Sequence, residues 1–251
     1  MNFQHALVRE PGENFSQCIT SHPLKHSINV SNAKKQHFIY CNILIELGLE
    51  VIHLPIDNVR PDSCFVEDTA IIHNKKALIT RMGVESRRGE VESVEDVLKD
   101  YMETEKAVDP ATIEGGDVIH LPDRLVCGLT QRTNSDGVNQ MGKWLNVKVD
   151  TINDPNIIHL KSYLTYLGNG LIIATNTYAN HPILEDYDIL IVTENESYAA
   201  NTLTIGNSVL LPRGFPNTQK MLTEAGFQVI PLDMSEFQKC EGALTCLSLL
   251  F

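Results

Sequence analysis

The segment Cys240-Glu-Gly-Ala-Leu-Thr-Cys-Leu-Ser-Leu-Leu-Phe251 decides how the rest of the chain is arranged. A polar turn around Gly242 leads into Cys246, and an apolar run follows that cysteine directly. Chain ends are often loose, but exposed apolar surface is unfavourable in water, so we expect this tail to be buried as a strand. Cys246 would then be held where a buried strand begins, which is a rigid place for a nucleophile.

Four stretches upstream share one plan, in which two apolar runs flank a short polar turn. Asn, Gly or Pro-Asp at such a turn is typical of a β-hairpin. The four stretches are residues 69–80, 117–127, 164–174 and 203–211.

A polar segment with helical potential follows each hairpin, and one more candidate strand follows each of these segments. The helical segments are residues 90–103, 134–145, 182–187 and 217–225. The candidate strands are residues 107–109, 147–151, 189–193 and 227–232. The repeating unit is therefore strand–strand–helix–strand.

The two ends of the chain supply a fifth unit. Residues 5–9 and 50–54 read as strands, residues 32–47 read as the helix, and residues 244–251 supply the missing hairpin partner. The tail then closes a ring of five ββαβ units with pseudo-fivefold symmetry. The predicted fold belongs to the α/β class, and a single domain extends over residues 1–251. The alternative is a single mixed α/β sheet whose hairpins merely look alike. A ring of units has an axis, and we expect a pocket where their loops converge on it.

Composition narrows the class of protein. The net charge of −12 disfavours nucleic acid or an anionic membrane as a partner and is compatible with a cationic substrate. No apolar run approaches the roughly 18–20 residues of a membrane span, and the first residues lack the plan of a signal peptide, so we expect a cytoplasmic protein. The six cysteines form no C-x-x-C motif, and we expect them to be reduced thiols.

Several polar residues stand at predicted strand ends beside apolar runs. A buried thiol such as that of Cys246 is usually inert, and a histidine such as His159 acts chemically only with a reacting group nearby. Glu114 and Asp117 enclose two glycines, and at least one of these acids is expected to be buried with a partner. Alternatively, both acids lie in an exposed turn.

A second acidic site and two basic sites complete the candidates. Asp62, Glu67 and Asp68 lead into the first hairpin and would suit a planar guanidinium; a solvated loop is the alternative. Arg87 and Arg132 stand at equivalent positions of two units and suit the carboxylate of a ligand. Ordinary surface arginines at helix starts are an equally good interpretation.

With these residues assembled, the sequence resembles the dimethylarginine dimethylaminohydrolases of the guanidine-modifying (pentein) superfamily. The motifs that carry the resemblance are PDSCFVEDTA, ITRMGVESRRGE, IEGGDVI, QRTN, HLKS and ALTCLSLL, and they extend over essentially the whole chain. The resemblance implies a five-bladed α/β propeller. His159-Leu-Lys161 matches the hydrolases, whereas deiminases and amidinotransferases of the superfamily generally carry His-x-Asp there.

The resemblance also implies a role for each matched residue. Cys246 would be the nucleophile, His159 the general acid and base, and Glu114 the acid that orients the histidine. The remaining matches concern substrate binding. Asp62, Glu67 and Asp68 would surround the guanidinium and amino ends of the substrate, and Arg87 and Arg132 would bind its α-carboxylate. Phe15 would lie on a mobile lid that contacts the substrate through its backbone. The Cys240 carbonyl would accept a hydrogen bond from the α-amino group. Phe15 and Cys240 depart from the side chains usual in the family.

The reaction implied is hydrolysis of asymmetric dimethylarginine to citrulline and dimethylamine through a covalent thiouronium intermediate, with no metal or organic cofactor. Zinc bound by Cys246 and His159 would act only as an inhibitor. The alternatives are a hydrolase of citrulline or of another guanidino or ureido amino acid, an arginine deiminase, or a non-catalytic binding protein of the same fold. Whether the chain forms a homodimer is left open.

Overall fold

The computed structural model describes residues 3–251 and contains five sheets of three strands each. The strands are β1 (His5–Val8), β2 (Glu50–His53), β3 (Ala70–His73), β4 (Lys76–Ile79), β5 (Glu103–Lys106), β6 (Val118–His120), β7 (Leu125–Leu129), β8 (Val149–Asn153), β9 (Leu164–Gly168), β10 (Leu171–Thr175), β11 (Asp188–Val192), β12 (Leu203–Ile205), β13 (Ser208–Pro212), β14 (Gln228–Leu232) and β15 (Ser248–Leu250). The α-helices are α1 (Val30–Glu46), α2 (Glu92–Leu98), α3 (Ser135–Leu145), α4 (Pro216–Glu224) and α5 (Ser235–Gln238).

Each sheet forms one blade. Blade 1 has the strand order β15-β1-β2, and blades 2 to 5 take β3-β4-β5, β6-β7-β8, β9-β10-β11 and β12-β13-β14. In every blade the middle strand pairs antiparallel with one neighbour and parallel with the other. This is the ββαβ unit that the sequence predicts.

The core lies between the blades. Because successive side chains of a strand point to opposite faces, each middle strand contributes to two neighbouring apolar clusters. Leu7 of β1 packs towards blade 2, while Ala6 and Val8 belong to the cluster that blade 1 shares with Leu203 and Leu210 of blade 5. Five such clusters follow one another around the axis and close the ring. The fold is the predicted five-bladed α/β propeller.

The tail closes the ring as expected, but its strand is shorter than residues 244–251. Ala6 pairs with Leu250 and Val8 with Ser248, in antiparallel register. Residues Thr245–Leu247 form a 3-10 turn instead, so Cys246 lies in a turn and not at the start of the strand. The turn is held from outside the blade, because the Thr245 N–H donates to the Asn201 side chain at 3.1 Å.

One predicted strand is wrong, and two predicted helices are longer than those observed. The strand of blade 2 is Glu103–Lys106 and not residues 107–109, because this outer strand is solvated and its charged residues carry no apolar signal. The helix of residues 90–103 is reduced to Glu92–Leu98 after a 3-10 helix, and that of residues 182–187 is a single 3-10 turn, Pro182–Leu184. The other predicted bounds fall within about two residues of the observed ones.

Two of the six cysteines are not reduced thiols. Cys18 and Cys240 form a disulfide with a Cα–Cα distance of 5.9 Å, across a sequence separation of 222 residues. The expectation of six reduced cysteines was wrong for this pair, because only closure of the ring brings the segment after β1 against the segment before β15. Between residues 3 and 251, no helix combines the length and apolar character needed to cross a membrane.

Candidate active site

The site is built from five corresponding 3-10 turns, which we call the inner turns. Each precedes the first strand of its blade. They are Val66–Thr69, Gly115–Asp117, Leu160–Ser162, Glu194–Ala200 and Thr245–Leu247. Four of the five neighbouring pairs of inner turns pack against each other, and Asn201, next to the turn Glu194–Ala200, contacts Thr245 of the last turn. The ring thus brings side chains from distant parts of the sequence together at its axis.

His159 and Glu114 form the central hydrogen bond of the site. His159 Nε2 lies 2.7 Å from Glu114 Oε2 and 3.6 Å from an Asp68 carboxylate oxygen. Glu114 is fully buried, and its other oxygen accepts the Gly83 N–H at 2.9 Å. Burial alone would lower the pKa of His159, but Asp68 and Glu114 together raise it to about 9. The imidazole is therefore protonated at neutral pH.

The two glycines of the IEGGDVI motif make this close approach possible. A Cβ at Gly116 would lie 2.8 Å from the His159 ring and from an Asp68 oxygen, and one at Gly115 would collide with the Glu67 carbonyl. The Gly116 N–H also donates to Asp68 at 3.1 Å. A side chain at either glycine would force the acidic and histidine turns apart.

Arg87 lies beneath the acids. Its guanidinium donates to Asp68 at 3.0 Å and to the Glu90 carboxylate at 2.9–3.2 Å, and it stands 3.9 Å from Glu114. The side chain is buried, and the opposed charges of Glu90 and Asp68 raise the pKa of Arg87 despite its desolvation. Arg87 is thus the internal counter-ion of the carboxylates. Because its guanidinium is already bonded to Asp68 and Glu90, it is not free for the α-carboxylate that the sequence led us to expect.

Arg132 is in a different situation. Its side chain is half-buried, and its Nε and Nη1 atoms have no hydrogen-bond partner among residues 3–251. It lines a cavity of about 870 Å³ together with His159, Tyr163, Tyr198 and Ala243. A desolvated guanidinium without a partner is costly to maintain, so the cavity is suited to an anionic group of a ligand.

The turn that carries Cys246 is tied to the turn that carries His159. Thr245 donates through its hydroxyl to Glu67 at 2.6 Å, and Glu67 in turn pairs with Lys161 at 2.6 Å. Asn201 donates to both the Thr245 hydroxyl oxygen and the Lys161 carbonyl, at 3.0 and 3.1 Å. Burial raises the pKa of Glu67, although Lys161 and Thr245 act in the opposite direction.

Cys246 itself is a neutral thiol in this structure. Its side chain is partly exposed, and its sulfur accepts the Ala243 N–H at 3.4 Å. Close packing of protein around the thiol, followed by the charges of Glu67 and Asp68, raises the pKa of Cys246 well above its ordinary value. A cation placed between these carboxylates and the sulfur would lower that pKa again.

The segment that carries Phe15 is fixed to the fold. The Phe15 ring is fully buried and packs against Phe65 and Phe237, and its carbonyl oxygen lies 3.8 Å from the Cys240 sulfur. Farther along the same segment, both Asp62 oxygens accept the Ile19 N–H, at 3.1 and 3.2 Å. Together with the Cys18–Cys240 disulfide, these contacts fix the segment to the fold, and its residues 19–22 line the cavity.

Three ligand atoms of Asp68, Glu114 and His159 lie within 4.8 Å of one another, a spacing that a metal ion could use. The Arg87 guanidinium already bonds Asp68 and stands close to Glu114. Since this positive charge competes with any bound metal ion, the cluster is better suited to protein-borne cations and to a cationic ligand.

Three residues that organise the site carry no clear signal in the sequence. Glu90, Asn201 and Thr245 are polar residues in ordinary turn surroundings, and only their partners in space reveal their roles. Glu90 alone could have been found, because its i,i+3 spacing from Arg87 in a helical segment favours an ion pair.

Comparisons with known proteins find relatives over almost the whole chain. The family model described as N,N dimethylarginine dimethylhydrolase, eukaryotic, matches residues 12–249. The N(G),N(G)-dimethylarginine dimethylaminohydrolase of Pseudomonas aeruginosa is 33% identical over 254 residues, which cover 99% of this chain and 100% of that protein. The protein of the same name from Streptomyces coelicolor is 32% identical and covers 99% of this chain and 97% of its own length. A structure of the Pseudomonas aeruginosa enzyme, a cysteine-to-serine mutant complexed with citrulline, matches with a TM-score of 0.97 and 32% identity over 100% of both chains.

Proposed function

The chain belongs to the dimethylarginine dimethylaminohydrolase family, and on that premise we propose that it hydrolyses Nω-methylated arginine, converting asymmetric dimethylarginine and water to citrulline and dimethylamine. The observation that carries the proposal is the 2.7 Å hydrogen bond between His159 and Glu114, within a cluster of buried carboxylates. This pair keeps a proton donor charged beside the place where a planar cation fits.

The first half of the reaction forms a covalent intermediate. Binding of the guanidinium between the carboxylates lowers the pKa of the Cys246 thiol, which releases its proton to solvent because His159 is already protonated. The thiolate then attacks the guanidinium carbon. The protonated His159 gives its proton to the dimethylamino nitrogen, the C–N bond breaks, and dimethylamine leaves. The product of this half is a positively charged thiouronium on Cys246.

The second half returns the enzyme to its starting state. His159, now neutral, takes a proton from water, and the hydroxide formed attacks the thiouronium carbon. The C–S bond then breaks and expels the Cys246 thiolate, which is protonated again as citrulline loses its extra proton. His159 ends the cycle protonated, as its raised pKa requires.

The other predicted residues bind the substrate or support the residues that bind it. Asp68 offers the guanidinium the oxygen that faces His159, since its second oxygen is bonded to Arg87. The unpartnered Arg132 takes the α-carboxylate. Asp62, Glu67 and Arg87 shape the acidic end around the guanidinium, and backbone atoms of Phe15 and Cys240 face the α-amino end. We keep a single catalytic domain over residues 1–251, a cytoplasmic location and homodimer formation as parts of this proposal.

The function is tested by incubating the purified protein with asymmetric dimethylarginine, monomethylarginine, arginine and citrulline, each alone. Citrulline and dimethylamine formed from dimethylarginine are the expected products, and the folded Cys246→Ser variant is expected to form neither. Ornithine and ammonia from citrulline would instead assign the ureido substrate. Failure of all four substrates, with Cys246 unreactive toward iodoacetamide, would refute the enzyme function.

A further inference from the structure

Asp117 is a fully buried acid that the mechanism above does not use. Its Oδ2 atom accepts the hydroxyl protons of Thr130 and Thr133, at 2.8 and 2.6 Å. Its Oδ1 atom accepts the backbone N–H of Leu160 at 2.9 Å. Both oxygens of one carboxylate are therefore engaged by residues of two different segments.

Each of these three contacts leads to a different functional residue. The Thr130 oxygen accepts the backbone N–H of Arg132 at 3.1 Å, and the Thr133 oxygen accepts the backbone N–H of Glu114 at 3.1 Å. Leu160 directly follows His159 in the chain. One carboxylate thus holds the backbone at the proton donor, at its orienting acid and at the unpartnered arginine.

The molecule keeps this charge although burial opposes it. Burial raises the pKa of Asp117 to about 6, against the lowering effects of His159 and of the three hydrogen bonds. A buried acid costs stability unless its contacts compensate. Gly128 leaves the space that the carboxylate needs, since a Cβ there would lie 3.0 Å from Asp117 Oδ1. The arrangement is therefore specific to this carboxylate.

We propose that Asp117 is a positioning residue that fixes the distance between the His159–Glu114 pair and Arg132. This distance selects amino acids in which the reacting carbon and the α-carboxylate are separated by the length of an arginine side chain. This inference rests on the proposed function. The Thr133 contact serves the chemical end of the substrate, and the Thr130 contact serves its carboxylate end.

The test removes the Thr130 contact and the Thr133 contact one at a time. Thr130→Val is expected to raise KM for dimethylarginine about tenfold with kcat within about twofold, because it frees the backbone at Arg132 while Thr133 and Leu160 still hold Asp117. Thr133→Val is expected to lower kcat about tenfold with little change in KM, because it loosens Glu114. Asp117→Asn is expected to change both parameters, and Thr130→Val should not alter KM for the decarboxylated substrate Nω,Nω-dimethylagmatine.

The chain supplies a matched control. Thr218 donates its hydroxyl to buried Glu196 at 2.6 Å, the same kind of contact at the same distance, at the start of α4. Thr218→Val is expected to lower the melting temperature without changing kcat or KM, because Thr218 lies on α4, outside the inner turns. Folded Thr130→Val and Thr133→Val proteins with identical changes, or with none, would overturn the positioning role.

A second readout does not depend on turnover. The ring signal of His159, assigned by its loss in His159→Gln, is expected to shift in the NMR spectrum of Asp117→Asn and to stay in place in Thr218→Val. An unmoved signal in folded Asp117→Asn would overturn the positioning role of Asp117, whether or not the parent protein is active. Failure of the parent protein to turn over any of the substrates would refute the proposed function and would leave this NMR test unaffected.

Discussion

Arg87 and Arg132 each lie between the middle strand and the helix of their blade, blade 2 and blade 3, and the fold gives them opposite surroundings. Arg87 is 5% exposed and bonded to two carboxylates. Arg132 is half-buried, and two of its nitrogens lack a partner within the described part of the chain. The comparison teaches that a repeat predicts where an arginine will stand, whereas its neighbours decide whether its charge holds the protein together or remains available to a ligand.

The largest effect is expected from Arg87→Met. It leaves Asp68 and Glu90 buried without their counter-ion, so the free energy of unfolding should fall by about 3–5 kcal/mol. Urea unfolding followed by circular dichroism measures this loss. Adding Glu90→Gln should restore part of the stability, and an Arg87→Met protein as stable as the parent would show that the comparison is false.

Glu114→Gln tests the role of the acid that bonds His159. The amide keeps the shape of Glu114 but removes the charge that helps to keep His159 protonated, so kcat should fall roughly 100-fold. KM should change little, because Glu114 faces the histidine and not the α-carboxylate. Steady-state kinetics on dimethylarginine decide this. A rise in KM with kcat unchanged would mean that Glu114 binds substrate.

Arg132→Met is expected to affect binding alone. Removing a charged hydrogen-bond donor to the α-carboxylate should raise KM roughly tenfold to thirtyfold, with kcat nearly unchanged. The melting temperature should stay at the parent value, in contrast to Arg87→Met. Equal losses of stability in the two variants would mean that the two arginines do not differ as described.

The smallest effect is a pH dependence of stability. His159 has a folded-state pKa of about 9, above its ordinary value of 6.5, so its stabilising contribution is complete below pH 6.5 and is lost as the pH rises through 9. Between pH 7.5 and 8.5, the free energy of unfolding should fall by roughly 1 kcal/mol per pH unit more in the parent than in His159→Gln. Parallel slopes in urea titrations of the two proteins would contradict the raised pKa.

Much of the fold could be predicted because the middle strands are buried on both faces. Residues such as Leu7, Ile79 and Ile173 form continuous apolar runs beside clear turn residues. The outer strand β5 could not be found, because it pairs on one side only and its residues are Glu, Thr, Glu and Lys. Strand signals therefore fade at the edge of each blade.

The candidate residues of the site could be predicted because they lie next to buried strands. Glu114, His159 and Cys246 stand beside apolar strands, where a polar residue is conspicuous. The partners of these residues were not predictable. The Cys18–Cys240 disulfide joins segments that only the closed ring brings together, and Asn201 contacts residues 40 and 44 positions away in the sequence.

The closure of blade 1 also orders the folding of the chain in time. Ala70 pairs with Ile79 within one hairpin, whereas Ala6 must meet Leu250 across nearly the whole sequence. The entropy of closing a loop grows with its length, and distant pairings form slowly. Four blades can therefore assemble from local hairpins before the fifth is completed. Because Cys246 belongs to the closing segment, regain of activity during refolding follows ring closure and lags behind the recovery of secondary structure.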